Sequence, residues 1–329
     1  MSFAPLFQQI STLKVAVLGD AMLDSYWWGS VDRISPEAPV PIVALKKKEQ
    51  RIGGAGNVAL NTTALGANTC MLTVLGNDAD GNLLSNLLAE NGVETKYILS
   101  SNQRITTNKT RIMSRNQQMM RLDAEITADL TYEEETALIQ QVEKCLTEQK
   151  IDVLIFEDYN KGVLTQQVIT SVINLCKKFN VVTTVDPKTH NFFAFKEVDL
   201  FKPNLKEVTE GLKLIHPSVN LTDLQQIHQL LRQNLHHHIS LITLSEHGVF
   251  YQQNEDAALI PCHIRNIADV SGAGDTVIAV ASLVYAATKN ISLAAKIANI
   301  AGGLVCEEVG TVAINASKLQ VETEMLLND

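Results

Sequence analysis

The residues best equipped for chemistry stand in "DVSGAGDTVIAVA", positions 269–281. Ser271-Gly272-Ala273-Gly274 reads as a tight bend opening an apolar helix. Such a helix start points bare N–H groups and partial positive charge at an anion. Asp275 then places a carboxylate at the mouth of that anion hole. A carboxylate would weaken a hole that only held phosphate. It makes sense as a base taking the proton from a hydroxyl that attacks phosphorus, while the amides stabilise the transferring group. The alternative is an ordinary helix-start acid.

A second cluster is "RIGGAGNVAL", in which Gly54 to Ala59 formally match G-x-G-x-x-A. A dinucleotide fingerprint needs a strand ending at its first glycine, and the residues before this one are "KKKEQRI". A loop that lets a polar ligand approach the backbone, with Asn57 supplying an amide, fits better. No G-x-x-x-x-G-K-[ST] occurs, which excludes a P-loop. A third set ends apolar runs: Asp20 and Asp24; Asp158, Tyr159 and Lys161; Asp186 and Lys188; Asn204 and Glu207. Ligands of open α/β sheets bind beyond the carboxyl ends of strands, so the set reads as one site. Asn204 and Glu207 could hold the water shell of Mg²⁺.

Short β-branched runs alternating with amphipathic segments must position these groups. "KVAVLGD", "NTCMLTVLG", "IDVLIFEDY", "VVTTVDP", "DLFKPN", "ISLITLSE" and "GVFYQQ" read as strands, and helices from Gly274 and Ser292 close the pattern. This alternation predicts an α/β fold with a mainly parallel sheet covered on both faces. Residues 25–52 and 106–125 break the rhythm and read as excursions forming a small β-lid, the second a hairpin around Arg115-Asn116. His236-His237-His238 reads as a surface run at a helix end, Trp27-Trp28 as lid packing, and Lys46 to Lys48 as a solvated strand end.

Of the 329 residues 46% are hydrophobic, and 27 basic against 36 acidic side chains give a net charge of −9. That charge argues against nucleic-acid and anionic-membrane partners. A phosphorylated ligand must therefore meet local cations or a metal. The five cysteines lack CxxC spacing and read as buried thiols of a reducing compartment. The start lacks a signal-peptide pattern, and the apolar run from Thr276 to Ala287 is too short to span a bilayer, so a cytoplasmic protein is expected.

"GDAMLD", "GGAGN", "DPK", "KPNLKE" and above all "DVSGAGDT" resemble the signatures of the ribokinase-like (PfkB) carbohydrate kinases, and the likeness runs over nearly the whole chain. "RISPEAPVP" and "SRNQQ" resemble the heptose 7-phosphate branch of that family. The resemblance implies a ribokinase-like three-layer sandwich with a β-lid, one domain over 1–329, with ATP and Mg²⁺ as cofactors. The implied reaction phosphorylates the anomeric 1-hydroxyl of D-glycero-β-D-manno-heptose 7-phosphate to the 1,7-bisphosphate, a step in ADP-heptose and lipopolysaccharide core biosynthesis. It also implies a homodimer through the lid and leaves a monovalent cation near Asp269 open. Another sugar or sugar phosphate, an NAD(P)-dependent oxidoreductase built on "GAGNVA", and a non-catalytic sugar-binding regulator are the alternatives.

Carried over by position, the resemblance makes Asp275 the base and Gly272, Ala273 and Gly274 the anion hole. Asn204, Leu205, Lys206 and Glu207 would lie in the ATP and Mg²⁺ region, Glu207 meeting the ion through water, and Ser245, Gly248 and Asn299 would line the nucleotide pocket. Asp20, Asp24, Gly53, Gly54 and Asn57 would hold sugar hydroxyls, with Asp186 and Lys188 also on the substrate side. Lys161, with Arg111 or Arg115, would hold the 7-phosphate. Two departures stand out: Ser271 replaces the usual threonine, and Leu244 stands where an arginine is expected. Many relatives carry a nucleotidyltransferase segment, and none follows "QVETEMLLND", so a kinase part alone is expected.

Overall fold

The computed structural model describes residues 2–115, 117–215, 217–263 and 265–328; the expected turn residue Asn116 lies outside them. The chain runs α1 (Ala4–Ile10), β1 (Lys14–Gly19), β2 (Ala21–Ile34), β3 (Pro41–Gly54), α2 (Ala55–Ala64), β4 (Asn68–Leu72), β5 (Val74–Gly76), α3 (Ala79–Glu90) and β6 (Leu99–Ser101). Then come β7 (Asn108–Ser114), β8 (Gln117–Ala124), α4 (Tyr132–Gln149), β9 (Val153–Glu157), α5 (Gln166–Phe179), β10 (Val182–Asp186), β11 (Leu200–Phe201) and α6 (Leu205–Gly211). It ends with α7 (Leu221–Leu235), β12 (Ile239–Thr243), β13 (Val249–Gln253), β14 (Asp256–Ile260), α8 (Ala273–Thr288), α9 (Ile291–Val305) and α10 (Ala316–Leu327).

The main sheet has the order β14-β13-β12-β11-β10-β9-β1-β4, parallel from β4 to β12 and antiparallel at the β12-β13-β14 edge. Its parallel strands are apolar on both faces because helices cover both. One face packs on α2, α8 and α9 through residues such as Val15, Val17, Ile278 and Ala298; the other packs on α4, α5 and α7 through Leu18, Phe156, Val172 and Leu231. A hydroxyl pair, Thr184 and Ser282 at 2.7 Å, fixes α8 against β10 inside the core. The three layers bring the carboxyl ends of β1, β9, β10 and β11 to one edge, beside the start of α8.

The lid is a separate four-stranded sheet, β3-β2-β7-β8. It departs from the core earlier than expected, because β2 starts at Ala21, ahead of the excursion expected from residue 25, and pairs with β3 as far as Gly54. Tyr26 and Trp28 stack within it, and Lys48 lies 4.4 Å from the centre of the Trp27 ring. Lys46 to Lys48 therefore sit inside β3 and not at a strand end. They are exposed because this is the outer strand of the lid. Arg51 donates to the carbonyl of Val309 at 3.0 Å, tying the lid to the loop after α9.

Other expectations are corrected. "NTCMLTVLG" is two strands in different sheets, β4 and β5, and Thr73 between them marks the change. The ordered pattern does not stop at α9, since α10 follows, capped by Asn315. Cys70, Cys145 and Cys176 are buried as expected, whereas Cys262 is exposed.

The histidine run is not all at the surface. His236 closes α7 in the left-handed conformation and His238 is exposed, but His237 is fully buried between Phe201 and His228. Both His237 Nε2 and His228 Nδ1 share the Ser240 hydroxyl, at 2.7 and 2.8 Å. Burial pushes the two imidazoles down, to about 4 for His228 and about 3 for His237. A depressed histidine adds stability above its unfolded value, which is lost as pH falls from about 6.5 toward the folded values. Buried acids with raised values act in the opposite direction, so a variant isolates the effect. The stability lost between pH 7 and pH 5 by urea unfolding is expected to be about 2 kcal/mol smaller in His237→Gln than in the wild type. An unchanged pH slope would remove the assignment.

Candidate active site

Asp275 occupies the first turn of α8, almost fully buried, with Gly272 as the N-cap at φ +78°. Glycine is required there, because a Cβ would lie 2.9 Å from the Asn57 amide nitrogen in a backbone conformation unfavourable for other residues. The Asp275 carboxylate receives two hydrogen bonds: Asn57 Nδ2 donates to Oδ2 and the Tyr159 hydroxyl donates to Oδ1, each at 2.7 Å. Asn57 is itself anchored by Asn61, which donates to its carbonyl at 2.8 Å. Burial raises the Asp275 pKa against the lowering effect of these donors. A hydrogen-bonded carboxylate of raised basicity beside helix amides can accept a proton from an attacking hydroxyl.

Two further acids close around it. Glu157 ends β9 and Asp186 ends β10; ligand atoms of Glu157, Asp186 and Asp275 all lie within 4.8 Å of one another. Both Glu157 oxygens and Asp186 Oδ1 are buried with no hydrogen-bond partner. Burial first, then the charges of Asp186 and Asp275, drives the Glu157 pKa well above its ordinary value. Orphaned oxygens in such a cluster fit a divalent cation, which would relieve the repulsion, and Mg²⁺ takes one or two carboxylates plus waters. Lys202, only 2% exposed, pairs with Asp186 at 2.8 Å. Both lie against Gly274, whose Cβ would be 3.7 Å from Asp186 Oδ2 and 3.8 Å from Lys202 Nζ. The anion hole thus has a buried cation at its rim.

Glu207, expected on the metal, is otherwise engaged. It forms a reciprocal cap with Asn204 at the start of α6: Oε2 accepts from the Asn204 N–H and Asn204 Oδ1 accepts from the Glu207 N–H. Its other oxygen accepts from Lys188 at 2.8 Å. Burial alone would lower the Lys188 pKa, but Asp186 and then Glu207 raise it, keeping the amine charged. Leu205 is half-buried, and Lys206 points to solvent on the far side, near Glu210.

On the lid side, Asp24 pairs with Arg111 and lies against Gly53, where a Cβ would meet Asp24 Oδ2 at 2.4 Å. Asp20, expected to hold sugar, is engaged by the backbone. Its buried carboxylate accepts the backbone N–H groups of Tyr159, Lys161 and Val163, at 2.8, 3.1 and 3.1 Å, and shapes the loop after β9. Lys161 pairs with Glu125 at 2.8 Å. Lys109 lies nearby, its amine 5.6 Å from the centre of the Tyr159 ring; the acids whose charges reach it, Asp24 and Glu125, are paired with Arg111 and Lys161. Burial, then the charge of Lys161, lowers its pKa. Arg115 is not brought to these groups; it stands exposed at the β7–β8 turn, at φ +55°.

The nucleotide-side residues converge. Ser245 and Gly248 both have positive φ in the turn after β12. Asn299 on α9 donates to the Pro261 carbonyl at 2.8 Å, and the Cys262 thiol donates to the Ser245 carbonyl at 3.4 Å. Leu244 is buried in the core and supplies no cation. Asp269 Oδ1 accepts from the Ser271 hydroxyl and N–H, and Oδ2 accepts from the Gly310 N–H. Gly54 is the last residue of β3, so a strand does end at the first glycine of "GAGNVA", contrary to expectation, but it is an antiparallel lid strand; Gly54 has φ +58° with the Asp20 carbonyl where a Cβ would sit. "GAGNVA" therefore lacks the parallel core strand of a dinucleotide fingerprint.

Residues 12–318 match the family model described as pfkB family carbohydrate kinase. The chain belongs to this family. It is an enzyme of the carbohydrate kinase class, and membership implies ATP as donor and a divalent ion. Among curated proteins it is 37% identical over 308 residues to the bifunctional protein HldE of Campylobacter curvus, covering 94% of this chain and 64% of that one. The HldE of Methylobacillus flagellatus is 38% identical, at 94% and 63% coverage. The chain thus spans under two thirds of the length of these relatives. Among solved structures, phosphofructokinase-2 from Escherichia coli in complex with potassium superposes with a TM-score of 0.81 at 19% identity, covering 97% of this chain and 100% of that one. Arabidopsis thaliana ribokinase complexed with ribose and ATP gives 0.72 at 17%, covering 94% and 99%. No helix among the described residues is long and apolar enough to cross a membrane.

Proposed function

We propose that this pfkB kinase transfers the γ-phosphoryl of ATP to the anomeric 1-hydroxyl of D-glycero-β-D-manno-heptose 7-phosphate. The observation that carries the chemistry is Asp275, held by Asn57 and Tyr159 at the amide-rich start of α8. The heptose assignment draws on "RISPEAPVP" and "SRNQQ" and on similarity to the HldE proteins. Asp275 takes the hydroxyl proton as the new O–P bond forms and the bond to ADP breaks. The Gly272–Gly274 amides and Lys202 face the charge on the transferring group. A divalent ion held by Asp186 and Glu157 would neutralise phosphate oxygens. Asp24 and Asn57 face the sugar, and Lys161 with Lys109 binds the 7-phosphate, in place of Arg111 and Arg115. Ser245, Gly248 and Asn299 line the nucleotide site, and a monovalent cation by Asp269 is an open part of the same reading. The exposed lid residues Leu45, Met120 and Leu122 support pairing with a second copy.

Incubation with ATP, Mg²⁺ and heptose 7-phosphate is expected to yield the 1,7-bisphosphate by mass spectrometry, with far slower turnover of fructose 6-phosphate and ribose. Faster turnover of either competitor would overturn the substrate assignment. The proposal places the product in ADP-heptose synthesis.

A further inference from the structure

We infer that Tyr159 is a positioning residue for the base, through which the loop after β9 sets the orientation of the Asp275 carboxylate. The inference rests on Asp275 being the base of the proposed transfer. Helix α8 fixes only the backbone of Asp275; the plane of its carboxylate is set by what touches the two oxygens. Asn57 holds Oδ2 and Tyr159 holds Oδ1, both at 2.7 Å. Without the phenol, Oδ1 loses its donor, within a cluster that also holds the carboxylates of Glu157 and Asp186. With one of its two anchors gone, the carboxylate can rotate about its remaining bond to Asn57.

The tyrosine is braced for this task from three directions. Its N–H is clamped by Asp20 at 2.8 Å, as are those of Lys161 and Val163 farther along the loop. The Lys109 amine from the lid lies 5.6 Å from the centre of its ring, and that of Lys188, beyond β10, lies 5.2 Å away. Cations against an aromatic ring are attracted to it, so the ring is gripped by the lid and the core together. A buried carboxylate spent on three backbone amides then has a purpose: Asp20 places the loop, the loop places Tyr159, and Tyr159 places the base.

Tyr159→Phe keeps the ring, its cation contacts and the backbone clamp, and deletes one hydrogen bond. Displacing a reacting group by about 1 Å costs on the order of 10²-fold. The variant is therefore expected to lose kcat by about 10- to 100-fold, with KM for both substrates unchanged and a modest fall in Tm from the lost buried hydrogen bond. Added to Asp275→Asn, the same change should cost almost nothing more, because no base is left to orient. A KM increase at constant kcat, or full additivity with Asp275→Asn, would overturn the inference. Crystal structures supply a readout that does not need turnover: the Asp275 carboxylate should rotate away from its wild-type plane in Tyr159→Phe, and an unmoved carboxylate defeats the inference. If the wild type turns over no heptose 7-phosphate, the proposed substrate fails, and the carboxylate plane still decides the role of Tyr159.

Discussion

Asp275→Asn is expected to bind ATP as the wild type does and to lose kcat by at least about 10²- to 10⁴-fold. General-base catalysis of that size corresponds to about 3–5 kcal/mol of barrier at 1.36 kcal/mol per decade. The side chain keeps its shape, so the fold and the Gly272–Gly274 bend should survive. The amide has one acceptor where the carboxylate has two, and it must satisfy both the Asn57 amide and the Tyr159 hydroxyl. One of those donors will face the new NH₂ group. Removing a charge from the cluster with Glu157 and Asp186 also relieves repulsion, so Tm should hold or rise while turnover collapses. Calorimetric titration of ATP, a steady-state assay and a thermal melt check the three parts. Wild-type kcat in the variant would end the base assignment, whereas lost ATP binding would mean that Asp275 serves the donor.

How much of this was legible before the fold depended on whether a signal was local. The bend at 271–274 and the acid after it form a local pattern, and the structure puts them at the start of α8 as read. Alternating strands and helices likewise predicted the parallel sheet and both excursions. Glu157 was passed over because it ends the apolar run "VLIFE", and nothing local shows that β10 and α8 will bring two more acids against it. Lys202 was hidden in "FKPN" for the same reason; its partner is 16 positions away and in the next strand. Asn204 and Glu207 read as a ligand pair, and the structure adds a second use for them that the spacing also allows, an N-cap and its third-position acid. His237 looked solvated because its neighbours are, and only the left-handed turn at His236 swings it inward. Nothing local in "NKTRIMS" singles out Lys109, because the competition of Arg111 and Lys161 for its acidic neighbours is a fact of packing.

That competition sets up the second large effect, at the 7-phosphate. Lys109 carries a half-buried charge whose acidic neighbours, Asp24 and Glu125, are already paired with Arg111 and Lys161; burial and Lys161 lower its pKa more than those acids raise it. A cation held in that state disfavours the empty protein and rewards an arriving dianion, which supplies charge-assisted hydrogen bonds to both amines. Lys109→Met is expected to raise KM for the phosphorylated heptose by about 10- to 100-fold, the 1.4–2.7 kcal/mol scale of a hydrogen bond to a charged group. Its effect on ATP should be far smaller, and Tm should rise. Lys161→Ala should be worse, because it also frees Glu125, now 2.8 Å from the amine, to repel the phosphate. Adding Glu125→Gln should then recover part of the loss. With the unphosphorylated heptose as acceptor, all these variants should match the wild type in KM. Equal losses on the phosphorylated and unphosphorylated sugars would show that the two lysines serve the lid and not the phosphate.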